Sequence, residues 1–306
     1  MKILVTGGCG FIGSHIVDAY IAAGHDVVVI DNLSTGVIEN LNPHAKFYEQ
    51  DITKDIENIF ETEKFELVNH HAAQINVRTS VDDPVYDAQV NVLGTVNLLS
   101  LASKYATRRF VFSSSGGAVY GEPQKYPIDE EMAFDPLSPY GASKVAAEKF
   151  VLTFANLYGL DYVILRYSNV YGPRQISKSE AGVISIFIDC ILNDRSCTVF
   201  GSGDQLRDYV YVGDVVAANI LALTCGSNVF NIGTSVETSV NDLIETFSSI
   251  LGKKVTHQHV EPRPGEVFRN VLDYNKVYSQ LHWQPKTRLK EGILKTFEHF
   301  KKVSKS

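Results

Sequence analysis

The sequence predicts an α/β protein, a doubly wound parallel sheet joined to a smaller mixed α/β C-terminal substrate domain. Three observations predict it. Short apolar runs alternate with helical stretches from Ile3 to Gly233, the pattern of a parallel sheet covered on both faces. Glycines stand at 7, 10 and 13, between the first apolar run and the first helical stretch. After Asn169 the alternation becomes irregular, as it does where a second, mixed unit is added.

Taken in order, Ile3-Leu4-Val5 is a strand that runs into Thr6-Gly7-Gly8-Cys9-Gly10-Phe11-Ile12-Gly13. A helical pattern from Ser14 to Ala23 stops at Gly24, and Val27 to Asn32 is the second strand, with Asp31 near its end. A strand, glycine turn, helix and strand within about 30 residues open a Rossmann-type dinucleotide-binding sheet. The spacing is G-x-x-G-x-x-G. Glycine is needed because the backbone must approach a pyrophosphate closely, with helix N–H groups aimed at it. Gly7, Gly10, Phe11, Ile12 and Gly13 are therefore predicted to hold a cofactor diphosphate, and Asp31 with Asn32 its ribose. A 2′-phosphate would meet the like charge of Asp31, which favours NAD over NADP.

Lys46 to Ile52 reads as the third strand, placing Asp51 and Ile52 against an adenine, and Leu67 to Ala73 as the fourth, ending in Ala72 and Ala73. Asn91 to Ala106 is a helix, Arg109 to Ser115 the fifth strand, Tyr140 to Tyr158 a helix and Tyr162 to Tyr167 the sixth strand. Asp214 to Thr224 is helical and Val229 to Gly233 the seventh strand. Ligands of such sheets sit beyond the carboxyl ends of the strands. Further helices are expected at Gly182–Asn193, Asn241–Leu251, Asn275–Leu281 and Leu289–Phe300, with strands at Thr198–Phe200 and Val255–Val260. The domains then divide as 1–168 plus 207–235 for the cofactor and 169–206 plus 236–306 for the substrate, which would lie in the cleft between them.

Composition narrows the class. With 306 residues, 44% hydrophobic and 21% charged, the chain is ordinary globular protein. A net charge of −7 without a basic tract gives no sign of a nucleic-acid partner. Cys9, Cys190, Cys197 and Cys225 form no Cys-x-x-Cys pair, so reduced thiols and a cytoplasmic location are expected. No apolar run reaches membrane-spanning length, and Met1 to Gly7 reads as a strand entering a turn rather than as a signal peptide. His70-His71 point to opposite faces of a strand and His257-x-His259 lack a third ligand, so no metal is expected.

The chemistry is expected at Ser138-Pro139-Tyr140-Gly141-Ala142-Ser143-Lys144. Residues four apart on a helix share a face, which sets the Tyr140 phenol beside the Lys144 ammonium. A free tyrosine ionises near pH 10. A cation about 4 Å away at an effective dielectric near 20 favours the phenolate by about 4 kcal/mol, or roughly three pKa units. That would make a base suited to neutral pH. A Tyr-x-x-x-Lys alone is common on helix surfaces, so its meaning depends on what accompanies it.

What accompanies it is an ordered set. Thr6 to Gly13, then Ser113-Ser114-Ser115 before Val119-Tyr120-Gly121, Tyr140-x-x-x-Lys144, Leu165-Arg166-Tyr167-Ser168-Asn169-Val170-Tyr171-Gly172-Pro173 and Arg207-Asp208-Tyr209-Val210-Tyr211-Val212-Gly213-Asp214 follow in that order. The chain resembles the extended short-chain dehydrogenase/reductases, in the NAD-dependent epimerase/dehydratase family, and most closely their UDP-glucose 4-epimerase branch. The likeness runs from residue 1 to about 300. It implies that Tyr140 takes the proton from the sugar O4 as hydride leaves C4 for NAD, that Lys144 holds the nicotinamide ribose and acidifies the phenol, and that Ser115 bonds O4, with Ser114 a rival. It implies a UDP-sugar held at its diphosphate by Asn169, Arg207 and Arg263; the alternative for Arg207 is a salt bridge with Asp208 or Asp204. Asn91 and Tyr167 resemble cofactor neighbours, although Asn91 also suits a helix cap. Asn270 falls near the family's gate at the sugar C2. The family implies a homodimer through Asn91–Ala106 and Ala142–Leu157. Rival activities are a 4,6-dehydratase, a UDP-glucuronate decarboxylase and a silent NAD-binding regulator. Dehydratases carry Asp-Glu where this chain has Gly116-Gly117, which disfavours dehydration.

Overall fold

The computed structural model describes residues 1–176, 182–262 and 267–304. Seven strands form one parallel sheet: β1 Lys2–Thr6, β2 Asp26–Asp31, β3 Lys46–Glu49, β4 Leu67–His70, β5 Arg109–Ser115, β6 Asp161–Tyr167 and β7 Asn228–Ile232. Their order across the sheet is β7-β6-β5-β4-β1-β2-β3. The chain starts in the interior at β1, winds outward to β3, then crosses back through β4 to β7. The reversal of direction between β1 and β4 opens a crevice at their carboxyl ends, where a Rossmann sheet takes its ligand. β1 is buried from Ile3 through Thr6 and β2 from Val27 through Asp31, because helices cover both faces. On one face α1 (Phe11–Ala22) packs on the helix Val212–Ala222; Ile16, Val17 and Tyr20 join Ile3, Val5, Val111 and Leu165 in a single core. The opposite face holds a second core, where Leu98, Leu99 and Ala102 of α2 (Gly94–Lys104) and Ala147 and Val151 of α3 (Pro139–Tyr158) meet Leu4, Val68 and Phe112.

Several predicted boundaries move, two of them at residues expected in the site. β3 stops at Glu49, so Asp51 and Ile52 lie in the turn that follows, where the Asp51 carboxylate accepts the Thr53 N–H (2.8 Å) and hydroxyl (2.8 Å). An aspartate bonding two residues ahead favours a turn over a ladder. The helix expected from Asn91 begins earlier: Pro84–Ala88 is α-helical, Gln89–Leu93 is one π-helical stretch, and α2 continues from Gly94.

Beyond residue 170 a third core is built by Phe187 and Ile188 of Val183–Leu192, Leu243 and Phe247 of Val240–Leu251, and Ile293 of Leu289–Val303. Ser239 caps the middle helix in a reciprocal box with Asp242, which ties down two otherwise unpaired N–H groups. No helix among the described residues is long and apolar enough to cross a membrane.

Candidate active site

The glycine turn is shaped by close approach. Gly7 sits at φ +70°, and a Cβ there would stand 2.7 Å from the Ala72 nitrogen. A Cβ on Gly13 would stand 2.2 Å from the Gly7 carbonyl oxygen, and the Gly10 N–H closes the turn onto that same oxygen (3.0 Å). Gly10 caps α1 without a side chain, so no side chain covers the first-turn N–H groups of Phe11, Ile12 and Gly13. That is an anion cradle at a helix N-terminus. Behind it the Thr6 hydroxyl accepts the N–H groups of His71 and Ala72 (3.2 Å each), setting Ala72, just past the end of β4, against Gly7. Asp31 ends β2 with 7% exposure; its carboxylate accepts Cys9 N–H and Leu33 N–H (2.9 Å each) and so joins the turn to the strand end. Asn32 donates to the Asp51 carboxylate (3.2 Å). Ile52 packs where Gly94 leaves room, a Cβ there falling 2.7 Å from its side chain. These residues fit a dinucleotide: a backbone cradle for the diphosphate, then an acid at the next strand end.

Opposite the cradle stands α3. Ser138 accepts the Gly141 N–H (3.1 Å) and Pro139 occupies the first turn, while Gly159 ends the helix in the left-handed conformation. These are the start and stop signals the sequence carried. The Tyr140 N–H is pinned to the Ser80 hydroxyl (3.1 Å). The three serines that end β5 separate by the alternation of a strand. Ser114 donates its hydroxyl to buried Glu148 (2.5 Å), whereas the Ser115 hydroxyl lies on the side of Tyr140, near enough to favour the ionised phenol. A Cβ on Gly117 would lie 3.7 Å from Ser115 Oγ and 3.9 Å from Asn169 Oδ1, so Ser115, Asn169 and Tyr140 gather around that turn.

The electrostatics differ from the expectation drawn from Tyr-x-x-x-Lys. Lys144 donates to the Ser113 carbonyl (3.0 Å), with its ammonium 5.1 Å from the centre of the Phe112 ring and 6.0 Å from that of Tyr140. Burial pushes the Tyr140 phenol up to about 12, opposed by the Ser115 bond and reinforced by Asp87. Burial brings Lys144 down to about 8, opposed by Asp87 and Glu148. The lysine by itself therefore does not acidify the phenol: removal from water outweighs it.

The floor beneath was not foreseen. Glu148 and Arg166 form a buried two-oxygen ion pair (Nη2 to Oε2 2.7 Å), and Arg166 also donates to the Tyr120 hydroxyl (2.7 Å). The signal was present: Glu148 lies four residues past Lys144, an acid on the inner stripe of α3. Asn91 is not a helix cap. It lies inside the π-helical stretch, where its amide accepts the Gln74 N–H (2.9 Å) and donates to Gln74 O, Asp87 and Ser143. Its side chain thus builds the wall. Tyr167 likewise points into the core, its phenol accepting from Asn219 (2.9 Å) beside His71 (3.2 Å).

On the substrate side, the Asn169 N–H donates to Asp208 O (2.9 Å). Arg207 lies on the two-residue strand Leu206–Arg207, paired with Thr238–Ser239 on one side and Arg269–Asn270 on the other, and donates to the carbonyls of Leu206 (3.0 Å) and Phe268 (3.3 Å). Asp208 faces away from Arg207. It is fully buried and accepts from Thr234, Ser235 and Leu272, and burial raises it to about 6. Asp204 takes the Asn241 amide instead. Asn270, 1% exposed, donates to Gly116 O (3.1 Å). Arg263 lies outside the described residues.

Known proteins share this arrangement. A profile of the NAD-dependent epimerase/dehydratase family matches residues 3–233. The chain belongs to that family. It is 53% identical over 292 residues to a candidate UDP-glucose 4-epimerase of Methanocaldococcus jannaschii, covering 95% of each chain. The crystal structure of the Thermotoga maritima UDP-glucose 4-epimerase with UDP-glucose superposes with a TM-score of 0.97 at 48% identity, over 99% of this chain and all of that one. The Thermus thermophilus UDP-glucose 4-epimerase, solved with NAD, gives 0.95 at 41% identity, over 98% and 99%. The family is NAD-dependent, and the glycine contacts and the acid at Asp31 fit that cofactor.

Proposed function

We propose that this chain interconverts UDP-galactose and UDP-glucose by inverting C4 of the sugar. The observation that supports this most is the placement of Tyr140 near the Ser115 hydroxyl at the carboxyl end of β5, on the sheet that also carries the glycine cradle, in a chain closely similar to UDP-glucose 4-epimerases over its whole length. When bound, NAD would supply the oxidant for C4 and return the same hydrogen, and its oxidised form would add positive charge to the site. Burial favours the protonated phenol; once its proton is released to solvent, Tyr140 as the phenolate takes the proton from the sugar O4 and later gives it back. Ser115 orients both oxygens. Lys144 contributes its charge and its reach along β5. Asn169, Arg207 and Arg263 hold the diphosphate, with guanidinium groups matched to phosphate oxygens. The sugar ring is held loosely so that either face can meet the cofactor. The two-part division into 1–168 plus 207–235 and 169–206 plus 236–306 draws support from β7 pairing to β6; the cores cross it, Val277 and Trp283 joining the first and Tyr209 the third.

Dehydration needs an acid after the catalytic hydroxyl, and Gly116-Gly117 offer none. Incubation with UDP-galactose, UDP-N-acetylgalactosamine and dTDP-glucose tests the assignment. UDP-glucose is the expected product of the first, the second reads tolerance at C2 beside Asn270, and a 4-keto-6-deoxy product from the third would overturn epimerisation. Tyr140→Phe should lower turnover by about 10²–10⁴ while NAD stays bound; unchanged turnover refutes the assignment of Tyr140.

We also infer a homodimer. Val85 and Leu93 before α2, and Phe150 and Leu157 on α3, are exposed at 65%, 60%, 39% and 68%. Apolar groups left so open on neighbouring helices suit a second copy. Sedimentation velocity reads this directly, and a monomer at micromolar concentration counts against it.

A further inference from the structure

Asp87 is a carboxylate in a place that should cost stability. It is 1% exposed and has no ion pair among the described residues. One oxygen accepts the amides of Gln74 (2.7 Å) and Asn91 (3.1 Å); the other, Oδ2, is buried without a partner. A buried anion left half satisfied is expensive and calls for a reason. Its setting is unusual as well. Asp87 stands just before the π-helical stretch Gln89–Leu93, and such stretches inside α-helices recur at functional sites. The helical turn that carries Asp87 packs on α3. From it a chain of hydrogen bonds runs to the catalytic turn: Asn91 donates to Asp87 and to Ser143 (3.1 Å), and Ser143 donates to Tyr140 O (2.9 Å).

Resting on the reaction proposed above, we propose that Asp87 is a positioning residue. Its buried carboxylate fixes the turn bearing Tyr140 through Asn91 and Ser143, and it is the counter-charge that keeps Lys144 an ammonium during turnover.

The other groups around Lys144 leave this task to Asp87. Glu148 is committed to Arg166 and Ser114. His70 and His71, at the end of β4, are kept neutral by burial, with the Lys144 charge adding to the effect. Tyr140 is protonated in the absence of added positive charge, and Ser113 offers only a carbonyl. Burial has already lowered Lys144 to about 8, with Asp87 the larger of the two opposing influences. Without Asp87 the lysine would lose its proton near neutral pH. The same charge holds the phenol up, so removing it lowers both groups together.

The test is Asp87→Asn, which preserves shape and removes charge, with melting temperature as the check on folding. Asp87→Ser, which leaves room for a water beneath Gln74 and Asn91, is the second variant should the first not fold. Lysine labelled with ¹³C at Cε allows Lys144 to be titrated by NMR in the intact protein, its signal assigned by its loss in Lys144→Met. Wild type should titrate near 8 and the variant about one unit lower, the effect expected from losing one opposite charge in a buried site. The pH profile of kcat should move bodily to lower pH by a similar amount, so that the deficit is roughly tenfold greater at pH 8 than at pH 6, with KM for UDP-galactose little changed. A structural role alone would scale the profile without moving it. An unmoved profile with an unshifted Lys144 overturns the inference. If wild type does not epimerise at all, the proposed reaction fails, and the NMR titration still decides the counter-charge.

Discussion

Around Gly7, Gly10 and Gly13 the site is formed by missing atoms, a Cβ at position 13 meeting Gly7 O at 2.2 Å. Around Tyr140, Lys144 and Ser115 it is formed by polar groups held against their preference for water, with Lys144 brought to about 8 and Tyr140 raised to about 12. The two halves face each other across the carboxyl ends of the same sheet, yet they should respond to change differently. A steric site fails abruptly, because backbone cannot yield to a side chain. An electrostatic site changes by degrees, because each charge is one contribution among several.

The largest effect should therefore come from the smallest substitution. Gly13→Ala adds one methyl group and must displace α1 or the turn from their contact. Cofactor affinity should fall by about 100-fold or more, in line with what an ångström of misplacement costs a built site. NAD content of the purified variant and titration with NAD measure this. Retention of tightly bound NAD would show that the turn is softer than its contacts imply.

Lys144→Met probes the other half. Turnover should fall by about 10- to 100-fold, since one charge is lost and the phenol remains in place. Stability should move the opposite way. The folded pKa near 8 lies below the ordinary lysine value, so the ammonium is a cost to folding at neutral pH. That cost is about 3 kcal/mol from the shift, less about 1 kcal/mol for the lost bond to Ser113. The variant should therefore be more stable at pH 7 by about 2 kcal/mol. This advantage is fully present below pH 8 and is lost as pH rises from 8 to about 10.5, where folded wild type no longer carries the charge. Denaturant melts at pH 7 and pH 10 check both the sign and the window. A variant less stable than wild type at pH 7 would remove the claim that this lysine is held at the expense of the fold.

The same contrast explains which parts were legible in the sequence. All seven strands of the sheet were visible, because apolar runs such as Val27–Ile30 and Phe110–Phe112 are buried on both faces and need no partner to be recognised. The glycine cradle was legible for a steric reason that is local: Gly7, Gly10 and Gly13 meet within one turn. What could not be read depends on contacts far apart in the chain. Asp208 was a possible partner for Arg207, until Thr234 and Leu272 were found to claim it. Asn91 was read as a cofactor neighbour or a helix cap, and nothing local reveals the π-helical stretch that removes the second reading. The phenol of Tyr140 was expected to be acidic from its spacing to Lys144, but the burial that outweighs the lysine is set by the whole wall.

The adjacent serines give the finest division between the two kinds of construction. Ser114 and Ser115 differ in sequence by one position and in the structure by the face of β5. Ser115→Ala removes the hydroxyl near the phenol, and with it an influence that favours the ionised form. Turnover should fall about tenfold, roughly one hydrogen bond's worth of stabilisation, while the melting temperature stays put. Ser114→Ala leaves Glu148 without one of its donors but still paired to Arg166. Its cost should appear as about 1 kcal/mol of stability, with turnover within about twofold of wild type. Measured side by side, the two variants separate the wall that touches substrate from the floor that supports it. If Ser114→Ala were the one to slow the reaction, then the assignment of Ser115 to the sugar O4 would have to be exchanged between them, and with it the orientation proposed for the sugar against Tyr140.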